Sequence, residues 1–164
     1  RYFAELLGKP LDQAGVALID FQNNGSPGAF IGLARAFEIP WIMVCDNDDA
    51  GKGFIRQVKD RGMTDAEMVE LARPLPGEGM QLELFLVKNG FAQEYLEICS
   101  ERHISLSKRS GEPGFEEELA SKIDDRKTEF ARTLIDKLRA SGANANRVPA
   151  HLATVIKDIV SKVN

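Results

Sequence analysis

Two aspartates one residue apart carry the clearest chemical signal in this sequence. The run Trp41-Ile42-Met43-Val44-Cys45 is apolar and ends abruptly in Asp46-Asn47-Asp48-Asp49. A continuous apolar stretch of this length, bounded by turn residues, reads as a buried strand of a parallel sheet. Residues i and i+2 of an extended segment project to the same side. Asp46 and Asp48 would then sit together beyond the carboxyl end of the strand, where open parallel sheets bind their ligands. Two neighbouring carboxylates repel, and one tends to take up a proton unless a cation lies between them. A hard divalent ion removes that repulsion, and magnesium typically uses one or two carboxylates with water and a substrate phosphate. The pair therefore suits a metal that meets a phosphate. The competing reading is that Asp46 and Asp48 only cap the following helix, a common use of aspartate. Asp49 could do that job alone, which leaves the other two unexplained.

The elements that must position this pair follow from periodicity. Residues 1–7 read as helix, with Phe3, Leu6 and Leu7 on one side. Residues 15–21 form a short apolar run expected as a further buried strand, and 23–28 a loop. Phe30, Leu33, Ala34 and Phe37 recur at helical spacing over 29–37, and Pro40 stops that helix. A helix from about Asp49 to Asp60 has acidic residues in its first turn, where they complement the helix dipole. The alternation of helix and strand predicts a parallel sheet flanked by helices. Beyond it, 68–71 fits a strand or a short helix, 74–79 a loop, and 82–87 and 91–100 read as helical. Residues 108–114 read as a mobile polar loop and 116–123 as a short helix. Two amphipathic helices close the chain, 128–140 with Phe130, Leu134, Ile135 and Leu138, and 149–163 opening on Pro149.

Composition bounds the possibilities. A chain of 164 residues with 43% apolar and 28% charged residues is an ordinary globular composition with room for a real core. No apolar run approaches the ~20 residues needed to cross a bilayer, and no secretory leader pattern opens the chain. These features lead us to expect a cytoplasmic protein with no membrane partner. Cys45 and Cys99 lie far apart in apolar runs and are expected as reduced buried thiols. No Cys/His spacing suggests zinc, and His103 and His151 are expected at the surface. No glycine-rich Lys motif of the Walker type is present, so this segment is not expected to bind ATP. The net charge of -4 argues against holding DNA by an overall basic field. It leaves two routes, a partner domain that supplies the grip or bound ions that change the local sign.

An Asp-x-Asp alone is shared by phosphatases, receiver domains and transferases. Its framing here is more informative. The run 41–51, Trp-Ile-Met-Val-Cys-Asp-Asn-Asp-Asp-Ala-Gly, follows a strand, a loop and a helix ending in Ile39-Pro40, and resembles the Toprim domain shared by topoisomerases, primases and certain nucleases. With Asp20-Phe21-Gln22, Ala29-Phe30 and the later Leu82-Glu83 and Leu86, the chain is similar to the Toprim part of OLD-family (overcoming lysogenization defect) nucleases over roughly residues 1–140. The resemblance implies a site for two metal ions, Mg2+ or Mn2+. Asp46 would lie nearest both ions, Asp48 would complete the first site, and Glu83 would help hold the second. A lysine ahead of a late helix assists catalysis in that family, and Lys127 is the best match, with Lys122 and Arg126 as rivals. Two ions can activate a water and stabilise a leaving oxygen, and a lysine can neutralise charge developing on a phosphate. Read from the residues alone, Glu83 could face solvent, Lys127 could be a solvated lysine, and Glu116, Glu117 and Glu118 form a solvated helix face.

The sequence therefore leads to a three-layer α/β/α Toprim-like domain over residues 1–164, with a mainly parallel sheet and added C-terminal helices. Its expected activity is metal-dependent hydrolysis of DNA phosphodiesters by Asp46, Asp48 and Lys127, with Asp46, Asp48 and Glu83 as metal ligands. The resemblance implies an upstream ATPase domain in the same polypeptide, and leaves a homodimer open. Toprim domains begin with a strand ending in a glutamate, and no such run precedes Arg1. The first strand is thus expected to lie outside this sequence, which would leave the fragment itself inactive. The alternatives are the Toprim domain of a primase or topoisomerase and a receiver-like regulatory domain. Tyr2 and Tyr95 both lie in helical stretches, which disfavours a topoisomerase nucleophile.

Overall fold

The computed structural model describes residues 1–20, 26–124 and 126–163. It is α/β in class, with helices predominating around a parallel pair of strands. The chain divides into two compact units, residues 1–80 with 150–164, and residues 81–149. No helix among the described residues is long and apolar enough to cross a membrane.

The first unit is built on the predicted apolar strand. β1 (Met43–Cys45) pairs in parallel with β2 (Ala72–Pro74), Met43 opposite Ala72 and Cys45 opposite Pro74. Pairing continues one residue on, where Leu75 N–H donates to the Cys45 carbonyl at 2.9 Å. Between the strands run α3 (Asp49–Lys59) and α4 (Asp65–Leu71). α4 starts at a capping box, in which Glu67 N–H donates to Thr64 Oγ1 at 3.3 Å and Thr64 N–H to Glu67 Oε2 at 2.7 Å. Of the two sequence readings for 68–71 the structure takes the helical one, and the strand begins only at Ala72. Met43, Val58, Met63, Met68 and Ala72 form one core with Ile31 of α2 (Pro27–Ala36), and Trp41 packs against it, half-buried.

α2 begins as its residue types require. Ser26 Oγ accepts from Gly28 N–H at 3.3 Å and Pro27 stands in the first turn. It ends in a Schellman motif, with Ile39 N–H on the Ala34 carbonyl at 2.8 Å and Glu38 N–H on the Arg35 carbonyl at 3.3 Å. That geometry puts Glu38 at φ 53, a left-handed position that glycine normally takes. α1 (Tyr2–Leu6) and α9 (Ala150–Val163) share a second small core of Ala4, Leu11 and Val160. α9 is tied to the strand region by Arg73–Asp158 at 3.2 Å and by the Lys162–Glu70 ion pair.

One expected strand differs. Residues 16–20 carry no strand ladder, and Leu18 and Ile19 are 56% and 50% exposed. An apolar run becomes a strand only when a neighbouring strand accepts its backbone hydrogen bonds, and among the described residues the sheet has two members. Phe21, Gln22, Asn23, Asn24 and Gly25, part of the same expected strand and loop, lie outside the described residues. The parallel pairing expected of the sheet is present, on a smaller scale than the sequence suggested.

The second unit is helical. α5 (Leu82–Leu86) leads through a kinked turn at 87–91 into α6 (Ala92–Glu101), followed by α7 (Phe115–Asp124) and α8 (Lys127–Ala140). The kink is held by Gly90 at φ 93 and by Asn89 Nδ2, which donates to the Phe85 carbonyl at 2.7 Å. Phe91 and Phe130 are fully enclosed, and Leu134 and Leu138 continue the predicted stripe. The near edge of the polar loop read as mobile is tied to α7. Glu118 accepts from Ser107 N–H at 2.7 Å and Lys108 N–H at 2.9 Å. Of the glutamates expected on a solvated face, Glu118 thus holds this loop, and Glu117 accepts from Lys88 Nζ at 3.0 Å. His103 is exposed as expected, while His151 is half-buried at the start of α9.

Relieving the left-handed strain at Glu38 recovers ~1–2 kcal/mol, and glycine's extra unfolded-state entropy takes back about 0.5–1 kcal/mol. Glu38→Gly should therefore stabilise the protein by about 0.5–1 kcal/mol net, read as a raised Tm in thermal melts.

Candidate functional site

Asp46 and Asp48 stand where the sequence places them, directly after β1 and before α3. The turn that carries them is fastened on both sides. Asn47 N–H donates to the Met80 carbonyl at 2.7 Å, its carbonyl accepts from Gly79 N–H at 2.9 Å, and its Nδ2 donates to the Gly77 carbonyl at 2.9 Å. The loop after β2 is thus stitched to the Asp-x-Asp turn, and Lys52 of α3 pairs with Glu78 in that loop. Asp48 is the N-cap of α3, its Oδ1 accepting from Gly51 N–H at 2.9 Å. The cap is therefore Asp48 and not Asp49, the residue that could have served. Capping occupies one oxygen of the carboxylate, and Oδ2 is not used by that bond.

Gly51 has a role its place in the sequence motif did not explain. It is buried, and a Cβ there would overlap the Asp46 carbonyl oxygen. The first turn of α3 lies against the backbone of the strand end, and only glycine permits that approach. A glycine two residues inside a helix N-terminus is the signal that could have revealed it.

Both carboxylates act on Cys45. Burial, then the negative charges of Asp46 and Asp48, push the Cys45 thiol up to about 11. A thiol in that setting stays protonated at neutral pH and is no nucleophile. Cys45 is half-buried and Cys99 buried, both free, in line with the expected reduced thiols.

Glu83 and Lys127 belong to the second unit. Glu83 is the one buried charged side chain among the described residues, at 7% exposure on α5, which sets aside the solvent-facing reading. Its Oε1 lies 3.5 Å from Lys127 Nζ, and its Oε2 is buried with no hydrogen-bond partner. Lys127 opens α8, with Nζ 2.7 Å from Asp124 Oδ1. Burial disfavours its charge, but the bond to Asp124 and the charges of Glu83 and Asp124 outweigh that, so its pKa is raised and it stays protonated. The rivals Lys122 and Arg126 are exposed. Tyr95 is buried beside the same charges. Desolvation first, then Glu83 and Glu94, raise its phenol well beyond the usual range, so it remains neutral.

These residues fit a hard divalent ion in kind. Among the described residues no three His, Cys, Asp or Glu side chains form a ready metal cluster. Magnesium, however, needs only one or two carboxylates, with water completing its shell, and Asp46 and Asp48 supply that many in the first unit. In the second, an orphaned buried carboxylate oxygen calls for a cation or a water, and Glu83 Oε2 is such an atom.

Comparison with known proteins agrees with the resemblance read from the sequence. Residues 1–48 match the family model described as "Overcoming lysogenization defect protein-like, TOPRIM domain". No curated protein matches the chain. Among solved structures, the C-terminal region of the Burkholderia pseudomallei OLD protein superimposes with a TM-score of 0.71 at 18% identity, covering 99% of this chain and 91% of that one. The C-terminal region of the Xanthomonas campestris pv. campestris OLD protein gives 0.69 at 18% identity, covering 99% and 88%. At this identity the likeness establishes the fold, and the fold is that of OLD C-terminal regions.

Three outcomes follow from this geometry. Asp48→Ala should cost about 1 kcal/mol through loss of the cap, while Asp48→Asn, which still caps, should leave Tm nearly unchanged. Gly51→Ala should destabilise by about 1–3 kcal/mol, in the range for a buried overpacking change, and should broaden or shift the amide resonances of residues 45–48. Because the Cys45 thiol titrates higher in the folded state than an ordinary cysteine, it favours folding at lower pH, and that contribution is lost as pH rises through about 11. Iodoacetamide labelling of Cys45 should accelerate with a midpoint near pH 11, and Asp48→Asn should move that midpoint down.

Proposed function

Taking as premise an OLD-like Toprim segment in residues 1–48 and the fold of OLD C-terminal regions, we propose that this chain is the nuclease part of an OLD-type ATP-dependent enzyme, hydrolysing DNA phosphodiesters with Mg2+ or Mn2+. The observation that supports this most directly is the carboxylate pair Asp46 and Asp48. It lies at the carboxyl end of β1 and within the family-matched segment, with both charges felt by the Cys45 thiol.

Each residue has a part in that reaction. A divalent ion at the carboxylates supplies charge neutralisation for the phosphate and a polarised water. Asp46 and Asp48 hold and orient it, Asp48 sharing its carboxylate between that task and the α3 cap. Gly51 sets where Asp46 stands by letting α3 rest against its carbonyl. Within the second unit, Glu83 would offer a buried carboxylate to a further ion, and Lys127, protonated at neutral pH, would supply positive charge suited to a phosphate. Cys45 and Tyr95 stay neutral and take no part in proton transfer.

The polypeptide works with DNA as substrate and with an ATPase domain upstream, in the cytoplasm, and a homodimer would suit that arrangement. A net charge of -4 leaves this chain a poor DNA binder by its overall field, so the grip comes from the rest of the protein and from bound ions.

The test is nicking of supercoiled plasmid by the full-length protein in Mg2+ or Mn2+. Asp46→Ala should abolish nicking, EDTA should do the same, and Lys127→Ala should slow it by about 100-fold or more. Undiminished nicking by Asp46→Ala would remove the site assignment.

A further inference from the structure

The three charged groups at the α7–α8 junction are arranged in a way that helix stability does not explain. Asp124 is the last residue of α7 and Lys127 the first of α8. A helix dipole favours cations at its C-terminus and anions at its N-terminus, so each residue sits at the wrong end of its own helix. Their ion pair also has an unequal third member. Lys127 Nζ is 2.7 Å from Asp124 Oδ1 but 3.5 Å from Glu83 Oε1, beyond the 2.7–3.2 Å of an N–H···O hydrogen bond. The lysine spends its short contact on the half-exposed carboxylate and stands off the buried one, whose side chain is only 10% exposed and whose Oε2 has no hydrogen-bond partner. If stabilising the buried charge were the lysine's only task, the short contact would fall on Glu83, because an unsatisfied buried carboxylate is the costlier group.

We propose that Asp124 is a positioning residue: by taking the Lys127 ammonium it holds that cation off Glu83, and so keeps the buried carboxylate unlocked and open to a divalent ion. This rests on the reading of Glu83 as an ion ligand. Lys127 Nζ lies 2.7 Å from Asp124 Oδ1 and 3.5 Å from Glu83 Oε1, so its short contact leaves the buried carboxylate without a tight partner. An ion arriving at Glu83 need not break a tight lysine–glutamate pair, and the lysine remains anchored nearby on Asp124. Without Asp124, the ammonium has Glu83 as its remaining ion-pair partner among the described residues and closes on it, competing for the same oxygens.

A double-mutant cycle in Mn2+ affinity separates this competition from a simple field effect. The measurement is free Mn2+ by electron paramagnetic resonance, on the full-length protein and on Asp124→Asn, Lys127→Met and the double variant, all near-isosteric. Asp124→Asn should weaken the Glu83-dependent Mn2+ affinity by about ten-fold when Lys127 is present and by less than about two-fold when it is Met. Thermal melts in EDTA and in Mn2+ check that each variant folds, and Mn2+ should raise the Tm of Lys127→Met more than that of the unsubstituted protein. Equal factors in both backgrounds mean that Asp124 acts only through its charge, and would overturn the proposal. Glu83→Gln tells the two readings apart. If it leaves Mn2+ affinity intact, Glu83 is no ion ligand and the proposal falls with that reading. If it lowers the affinity while the cycle is additive, Glu83 stands and only the role of Asp124 is lost.

Discussion

The architecture of the first unit depends on one steric allowance, the contact of α3 with the carbonyl of Asp46. A strand that ends in two carboxylates must be followed at once by something that fixes them without covering them. Here a helix starts one residue later, capped by Asp48, and its first turn presses on the strand end where Gly51 has no side chain. The same amide that Gly51 donates to Asp48 is brought into place by that approach. Strand end, cap and helix are therefore a single geometric unit, and the latch from Asn47 to residues 77–80 holds its other side. Electrostatics then follow from position. Two carboxylates held this close to Cys45 press its proton onto the sulfur.

The second unit solves a different problem, that of placing a carboxylate inside a helical core. Burial of Glu83 is costly unless a cation is near, and Lys127 is that cation at 3.5 Å. α5, which carries Glu83, is a short helix ended by a kink, and the kink is fastened by Asn89 and by Arg147. Arg147 donates to the Gly90 carbonyl at 3.0 Å and to Glu94 at 2.6 Å while lying over the Phe91 ring. Phe91 and Phe130 are fully enclosed in this unit's core.

Much of this was legible in the sequence where local chemistry decides. The apolar run into Asp46 and Asp48, the helix that begins at Asp49, the helix stopped before Pro40 and the two closing amphipathic helices all appear within a residue or two of their expected places. The Asp-x-Asp framing also pointed to the right fold. Less was legible where partners lie far along the chain. Residues 16–20 have the composition of a buried strand and no ladder, because composition does not supply a neighbour to pair with. Nothing in the polar loop before α7 shows Glu118 reaching back to its near edge at Ser107 and Lys108.

By itself the sequence determined the chemistry on offer: hard oxygen donors after an apolar strand, two thiols too far apart in sequence to suggest a partnership, and an acidic net charge. Those follow from residue type and short-range spacing, which no fold can alter. Only the tertiary structure decided how particular oxygens are used. It gave one oxygen of Asp48 to the helix cap, buried Glu83 with one oxygen unmatched, and set Lys127 nearer to Asp124 than to Glu83. Hydrogen-bond and ion-pair assignments of this kind depend on distances between residues remote in the chain, so they exist only once the backbone has brought its segments together.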